Sequence, residues 1–221
     1  MSTHLRDLGF TMDCNLTCNE QIKKIVKQAN HALRNIAHIK KYLDNNSVKK
    51  LINNYIISRV DYCNSLYYNL PAYQLKKIQR VMNRAARLIV GLPRRERITP
   101  VLFELHWLPI KARIIYKICV LTYIALTSGK PAYLADKLHR FETAGVLVRH
   151  SHETLRLAEP RANKHIGTRS FAHSAPRLFN NLPQKLKKIN DLGKFKRSLK
   201  THLFERCYDN HGSILSEDFR L

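Results

Sequence analysis

Between Cys18 and Leu126 apolar side chains return every three or four residues, in stretches that stop at Gly or Pro. That spacing matches the turn of an α-helix and gives each stretch one inward face. The first helix is predicted from about Cys18 to Leu43, with Ile22, Ile25, Val26, Ala29, Leu33, Ile36 and Ala37 on its stripe. Thr17 and Glu20 have the spacing of a capping box, in which each side chain satisfies a backbone N–H of the other residue. A second helix is expected over about Val48 to Leu66, with Leu51, Ile52, Tyr55, Ile56, Val60 and Cys63 inward. Asn46 and Ser47 suit its start, and Pro71 blocks continuation beyond Leu70.

A third helix, about Ala72 to Val90, buries Leu75, Ile78, Met82, Ala85, Ala86 and Ile89 and stops at Gly91. Thr99-Pro100 reads as an N-cap followed by Pro at the first helical position. A short helix then leads to His106-Trp107-Leu108-Pro109, where Trp107 is expected in the core rather than against a base. A long apolar helix ends near Leu126 and a short one begins at Pro131. From about Glu142 to Pro183 the period fails, and β-branched or aromatic pieces alternate with turns. A final helix, about Leu192 to Glu205, turns Phe195, Leu199 and Leu203 inward. A content of 7 Gly and 8 Pro in 221 residues also favours long regular elements. The expected class is mostly α: a helical bundle, a division near residue 140, then a less regular basic segment admitting short strands, and a final helix.

Charge narrows the function. Lys and Arg number 39 against 16 Asp and Glu, a net charge of +23. Such a chain repels itself, which points to a polyanionic partner: nucleic acid first, an anionic membrane surface second. The charge is also segregated. Acids are absent between Glu20 and Asp44, between Asp61 and Glu96, and between Glu159 and Asp191. Ordinary solvated helices mix both signs.

Five scattered cysteines, Cys14, Cys18, Cys63, Cys119 and Cys207, do not form a disulfide framework and suit a reducing compartment. Met1 to Phe10 lacks the apolar centre of a secretory leader. The stretch Ile114 to Leu126 is shorter than the ~20 residues of a membrane span. A soluble, intracellular protein is expected, with nucleus and cytoplasm both open and no stable membrane insertion.

Two groups of cations are candidate nucleic-acid contacts. The third helix carries Lys76, Lys77, Arg80, Arg84 and Arg87, prolonged by Arg94 and Arg95. Arg at successive turns can bridge phosphate oxygens along a backbone without reading bases; the same pattern also serves as a solvated face. The second group is Lys185, Lys187, Lys188, Lys194, Lys196, Arg197 and Lys200. It can be read as a second contact, a localisation patch or plain surface. Cys14, Cys18, His31 and His38 mimic a zinc-finger spacing. Seven helical residues nevertheless separate the two histidines by about 10.5 Å of rise, too far for one ion with ~2 Å bonds. His150, His152, His165 and His173 have no ligand-like spacing with the cysteines, and no Ser or Cys lies in an activation motif. No metal, cofactor or catalytic residue is therefore expected.

Several strings resemble the C-terminal part of reverse transcriptases from non-LTR (LINE-type) retrotransposons, of the jockey-like and chicken-repeat-like groups. They are Leu8-Gly9-Phe10-Thr11-Met12-Asp13, Ser58-Arg59-Val60-Asp61-Tyr62-Cys63-Asn64-Ser65-Leu66, and Arg84-Ala85-Ala86-Arg87-Leu88-Ile89. Further along come Ile98-Thr99-Pro100 through His106-Trp107-Leu108-Pro109, Arg169-Ser170-Phe171, and Ala175-Pro176-Arg177-Leu178-Phe179-Asn180-Asn181-Leu182-Pro183. Their order matches, and the resemblance covers roughly residues 7 to 205. It implies a remnant of the palm end and primer grip over 1–16, a helical thumb over 17–140, a basic C-terminal segment over 141–208 and a tail over 209–221. It also implies RNA, DNA or their hybrid as partner, beside a palm supplied from upstream. The family's palm holds two metal ions with an Asp-Asp motif; this chain has no such pair, its one set of adjacent acids being Glu217 and Asp218. The expectation is a binding fragment without polymerase or endonuclease chemistry. The alternative is a domesticated or relic interaction module with no selected nucleic-acid activity.

Overall fold

The computed structural model describes residues 4–140 and 156–208. Outside the described residues lie the tail over 209–221, with Glu217 and Asp218, and the first part of the basic segment, with His150 and His152. Helices dominate the described residues, and their sheet is a two-stranded hairpin.

The hairpin pairs β1 (His4–Asp7) with β2 (Phe10–Asp13). Leu8 and Gly9 form the two-residue turn with φ of 45° and 85°. Positive φ at both positions gives the twist that matches right-handed strands, and Gly9 tolerates it without a Cβ clash. Tyr62 Oη donates to the Leu8 carbonyl, and Phe10 is buried against Tyr67 with ring centroids 6.0 Å apart.

α1 (Asn19–Ile39) runs into a 3-10 turn over Lys40–Tyr42. The predicted capping box does not form: Glu20 pairs instead with Lys23 at 2.6 Å. No side chain caps α1; Asp13, at the end of β2, closes the turn that leads into it. Its carboxylate accepts from Thr17 N at 2.8 Å, Thr17 Oγ1 at 3.0 Å and Cys18 N at 2.9 Å. Burial pushes the Asp13 carboxyl up, but these hydrogen bonds together outweigh it and hold the group below its ordinary pKa.

The second predicted helix is not continuous. α2 (Asn45–Ile52) is capped by Asp44, whose side chain accepts from Asn46 N and Ser47 N, so those residues lie inside the first turn. A π-helical turn follows over Asn53–Ile57, then α3 (Ser58–Asp61) and a 3-10 turn over Asn64–Tyr67. The wider turn changes the phase of the inward face. Tyr55, expected inside, is exposed, whereas Ile56 and Ile57 are buried.

α4 (Ala72–Val90) has the predicted bounds and the predicted buried face. Gly91 closes it with φ 74°, and both Gly91 N and Leu92 N donate to Arg87 O. α1 and α4 pack together, with Ala29, Ala85 and Ala86 fully buried between larger apolar neighbours. Gln74 Nε2 donates to Asn19 Oδ1, Arg84 Nη1 to Asn30 Oδ1, and Lys40 Nζ to Leu88 O. These partners advance together along both helices, so α1 and α4 run parallel.

α5 (Thr99–Glu104) has Ile98 rather than Thr99 at its N-cap and Pro100 in its first turn. Trp107 is buried at the corner that follows, with the Arg113 guanidinium 6.0 Å from its ring. α6 (Ile110–Ser128) is buried over much of its circumference and is the central element, contacted by α4, α8 and α10. Arg113 on it pairs with Asp61 at 2.7 Å. α7 (Ala132–Ala135) follows.

The stretch read as irregular stays irregular over 156–166 and is helical from 167 onward. A 3-10 turn over Gly167–Arg169 precedes α8 (Phe171–Asn180), and α9 (Gln184–Lys187) follows. Ala175, Leu178 and Phe179 are buried at helical spacing, and Pro176 is accommodated inside the helix at the loss of one N–H donor. Extended pairing here is confined, among the described residues, to a bridge between Arg140 and Leu157. α10 (Leu192–Cys207) is the last helix among the described residues, with Phe195, Leu199 and Leu203 inside as expected. Phe195 stacks on Tyr123 of α6 at 4.1 Å. One hydrophobic core contains residues from both sides of position 140, so no break in it marks the expected division there.

Candidate nucleic-acid interface

The parallel packing of α1 and α4 creates a cleft at their C-terminal ends. Lys40, Arg80, Asn83, Arg84, Arg87, Leu88, Gly91, Leu92 and Arg94 line it, enclosing about 740 Å³. Five of these nine are cationic and none is acidic. A groove walled by one sign of charge concentrates field lines and attracts a polyanion over a distance set by the ionic strength.

The cations of the cleft divide by their contacts. Lys40 Nζ donates to Leu88 O at 2.6 Å, and Arg87 Nη2 donates to Glu96 O at 3.0 Å. Lys40 thus satisfies a carbonyl at the negative end of α4, and Arg87 fastens the loop after it; these are structural tasks in their own right. Arg84 joins α4 to α1 through Asn30 at 2.8 Å. Arg80 and Arg94 are exposed and engage no partner among the described residues.

Of the first predicted group, Arg80, Arg84, Arg87 and Arg94 therefore meet in one place. Lys76 continues the stripe toward the start of α4 but lies outside the cleft, as does exposed Arg95. Lys77 turns away, half-buried, with its ammonium 5.5 Å over the Tyr73 ring. Lys40 also walls the cleft, although it lies on α1's extension and outside both predicted groups. The signal was the Lys40-Lys41 pair ending an acid-free helix; what joins it to α4 is a tertiary contact 48 positions away.

The second predicted group does not converge in the same way. Lys187 is committed internally: Nζ donates to Asn180 O at 2.8 Å and lies 5.9 Å from the Phe179 ring centroid. Desolvation, then the nearby Arg156 charge, lowers its pKa. Lys185 and Lys188 are exposed on and beside α9. On α10, Lys194, Arg197 and Lys200 are exposed and Lys196 is half-buried. At 3.6 residues per turn, Lys194 and Lys196 point about 160° apart, so these cations wrap the helix instead of forming a stripe.

No group of three or more His, Cys, Asp or Glu able to hold a metal ion occurs among the described residues. Cys18 is buried, with its Sγ 3.7 Å from both Leu16 O and Arg169 Nη2, while Cys14 is exposed. Burial raises the Cys18 pKa, which opposes the thiolate a metal would need. No helix among the described residues is long and apolar enough to cross a membrane. The chain has no match among protein-family models, curated proteins or solved structures.

Proposed function

We propose that this chain holds nucleic acid by its phosphate backbone, in the cleft between α1 and α4, with little dependence on sequence. The observation that carries the reading is the convergence of Lys40, Arg80, Arg84, Arg87 and Arg94 on one acid-free cleft. Guanidinium forks match phosphate oxygens, and backbone contacts position a strand without reading it. The exposed cations of α9 and α10 add to the long-range field at the periphery of this contact. The proposed origin is the thumb and downstream part of a non-LTR retrotransposon reverse transcriptase, holding RNA, DNA or their hybrid for a palm supplied elsewhere. On this reading the chain binds and performs no chemistry of its own.

A salt titration tests the proposal. Affinity for an RNA–DNA hybrid should fall linearly in log–log form, by roughly 0.7 to 0.9 per phosphate neutralised. Affinity should be similar for unrelated sequences of equal length. Absence of binding at 20 mM salt, or binding to anionic liposomes and not to oligonucleotides, sinks it.

One observation favours a second reading, an interaction module. All four residues of β1 are exposed, and Leu5 and Leu8 are 65% and 87% accessible. A hairpin whose outer edge is unpaired among the described residues, with apolar side chains along it, offers a docking strip to another polypeptide. An upstream palm fits that strip under the first reading as well, so the salt titration, not partner capture, separates the two.

A further inference from the structure

On the far flank of α1 from the cationic cleft, a second groove of about 510 Å³ is walled by α1, α2 and the π-helical turn. Its polar and aromatic members are Gln28, His31, Asn35, Tyr55 and Arg59, with exposed Ile39 at one end. We propose that this groove receives an unpaired nucleobase from a single strand whose backbone lies in the α1–α4 cleft. The inference rests on the nucleic-acid reading and adds a base-stacking subsite to it.

The π-helical turn is the first reason. π-helical turns are rare and recur at functional sites. Here the extra residue places Ile56 and Ile57 inside and leaves Tyr55 51% exposed, although the helical period would have buried it. Arg59, one turn on, has its guanidinium 5.9 Å from the Tyr55 ring centroid and donates from Nη1 to Tyr55 O. A phenol ring supported by a guanidinium plane is a stacking platform that accepts any base.

The lining chemistry is the second reason. Gln28, Asn35 and His31 supply hydrogen-bond donors and acceptors, and no acid lines the groove. Asn35 Nδ2 donates to His31 Nε2 at 3.3 Å, which leaves the Asn35 carbonyl oxygen for a base amino group. The volume falls in the ~300–1,000 Å³ span of small-ligand clefts.

Geometry supplies the third. Asn30, bonded to Arg84, lies on the α1 flank that borders the cleft, whereas Gln28, His31 and Asn35 lie on the opposite flank. Between them runs the exposed face of α1, roughly 10–12 Å across, carrying exposed Lys27 and Arg34. A strand crossing that face meets cations on the way to the groove. A duplex cannot present a base there without opening.

Fluorescence anisotropy on the full 221-residue chain tests the inference, using a short single-stranded DNA and a duplex of the same sequence. Tyr55→Ala should weaken single-strand binding about 5- to 100-fold, the range of one base stack. Duplex affinity should stay within twofold, the salt slope should be unchanged, and Tyr55→Phe should bind like wild type. Undiminished single-strand affinity, or an equal loss on both ligands, overturns the inference. If wild type binds neither ligand in dilute buffer, the parent reading fails and takes this one with it; if wild type binds and Tyr55→Ala is silent, this one fails alone. Photocrosslinking of wild type to a 5-bromouracil strand needs no variant. Adducts on the peptides containing Tyr55 or His31 support the groove, and adducts confined to other peptides refute it.

Discussion

Removing Arg80 and Arg94 together should flatten the salt dependence of nucleic-acid binding by an amount the cleft geometry sets. Five cations line the cleft. If each neutralises one phosphate of a duplex at about −0.9 per contact, the wild-type log–log slope is about −4.5. Arg80→Ala with Arg94→Ala leaves three cations and a slope of about −2.7. Between 50 and 200 mM salt the wild type then loses about 500-fold in affinity and the variant about 40-fold. Both side chains are exposed and without a partner among the described residues, so stability should stay within about 0.5 kcal/mol. A thermal melt checks that condition, and anisotropy at five salt concentrations reads the slope. Lys194→Ala with Arg197→Ala is the matched control, since it also lowers the net charge from +23 to +21. A peripheral contribution moves its slope by less than half as much. Equal flattening in both double variants would assign binding to bulk charge and refute the cleft as its seat.

Three further outcomes follow from the fold. Phe195 is fully buried and stacked 4.1 Å from Tyr123, so Phe195→Ala should cost about 3–5 kcal/mol by urea unfolding, loosening α10 from α6. Asp13 is held below its ordinary pKa, so the stability it confers is complete above the unfolded-state value and is lost as pH falls through the folded one. Asp13→Asn should therefore destabilise by about 0.5–1.5 kcal/mol at pH 7, the net contribution of a hydrogen bond, and the gap from wild type should close in thermal melts below about pH 4. Burial pushes Cys119 and Cys207 up to about 12. A thiol reagent at pH 8 should accordingly label exposed Cys14 promptly and those two after denaturation.

Legibility in the sequence followed the locality of the forces. α4 was readable to both ends because Pro71 and Gly91 punctuate it and one apolar stripe runs its length. The inner face of α10 was readable for the same reason. The start of α1 was not, because no side chain caps it and the turn before it is closed by Asp13, which comes from the preceding strand. The π-helical turn was invisible to a constant 100° period, and that is what reversed Tyr55. In α8, Pro176 and the polar residues around it hid a short apolar stripe that becomes a helix by packing on α6. The cations of α4 were legible as a stripe, but the cleft needed the parallel docking of α1, which brings Lys40 beside Leu88.

That docking also bears on how the cleft would hold a strand. Lys40 and Arg87 are tied to backbone carbonyls of α4 and the following loop. Arg84 is tied to α1. Three of the five cations therefore have their side-chain entropy already spent on the fold. Arg80 and Arg94 remain to be ordered by a ligand, at about 0.5–1.5 kcal/mol per side chain. A cleft of five untethered cations would lose more than twice as much on binding. Mutual repulsion in the empty cleft is offset at Lys40 and Arg87 by carbonyl dipoles, because the C-terminal end of a helix carries partial negative charge. On the proposed reading, the tethered cations would act as fixed walls and Arg80 and Arg94 as movable clamps. This division predicts that loss of Arg80 or Arg94 raises the dissociation rate without unfolding the site, whereas loss of Lys40 unsettles the end of α4 and weakens binding and stability together.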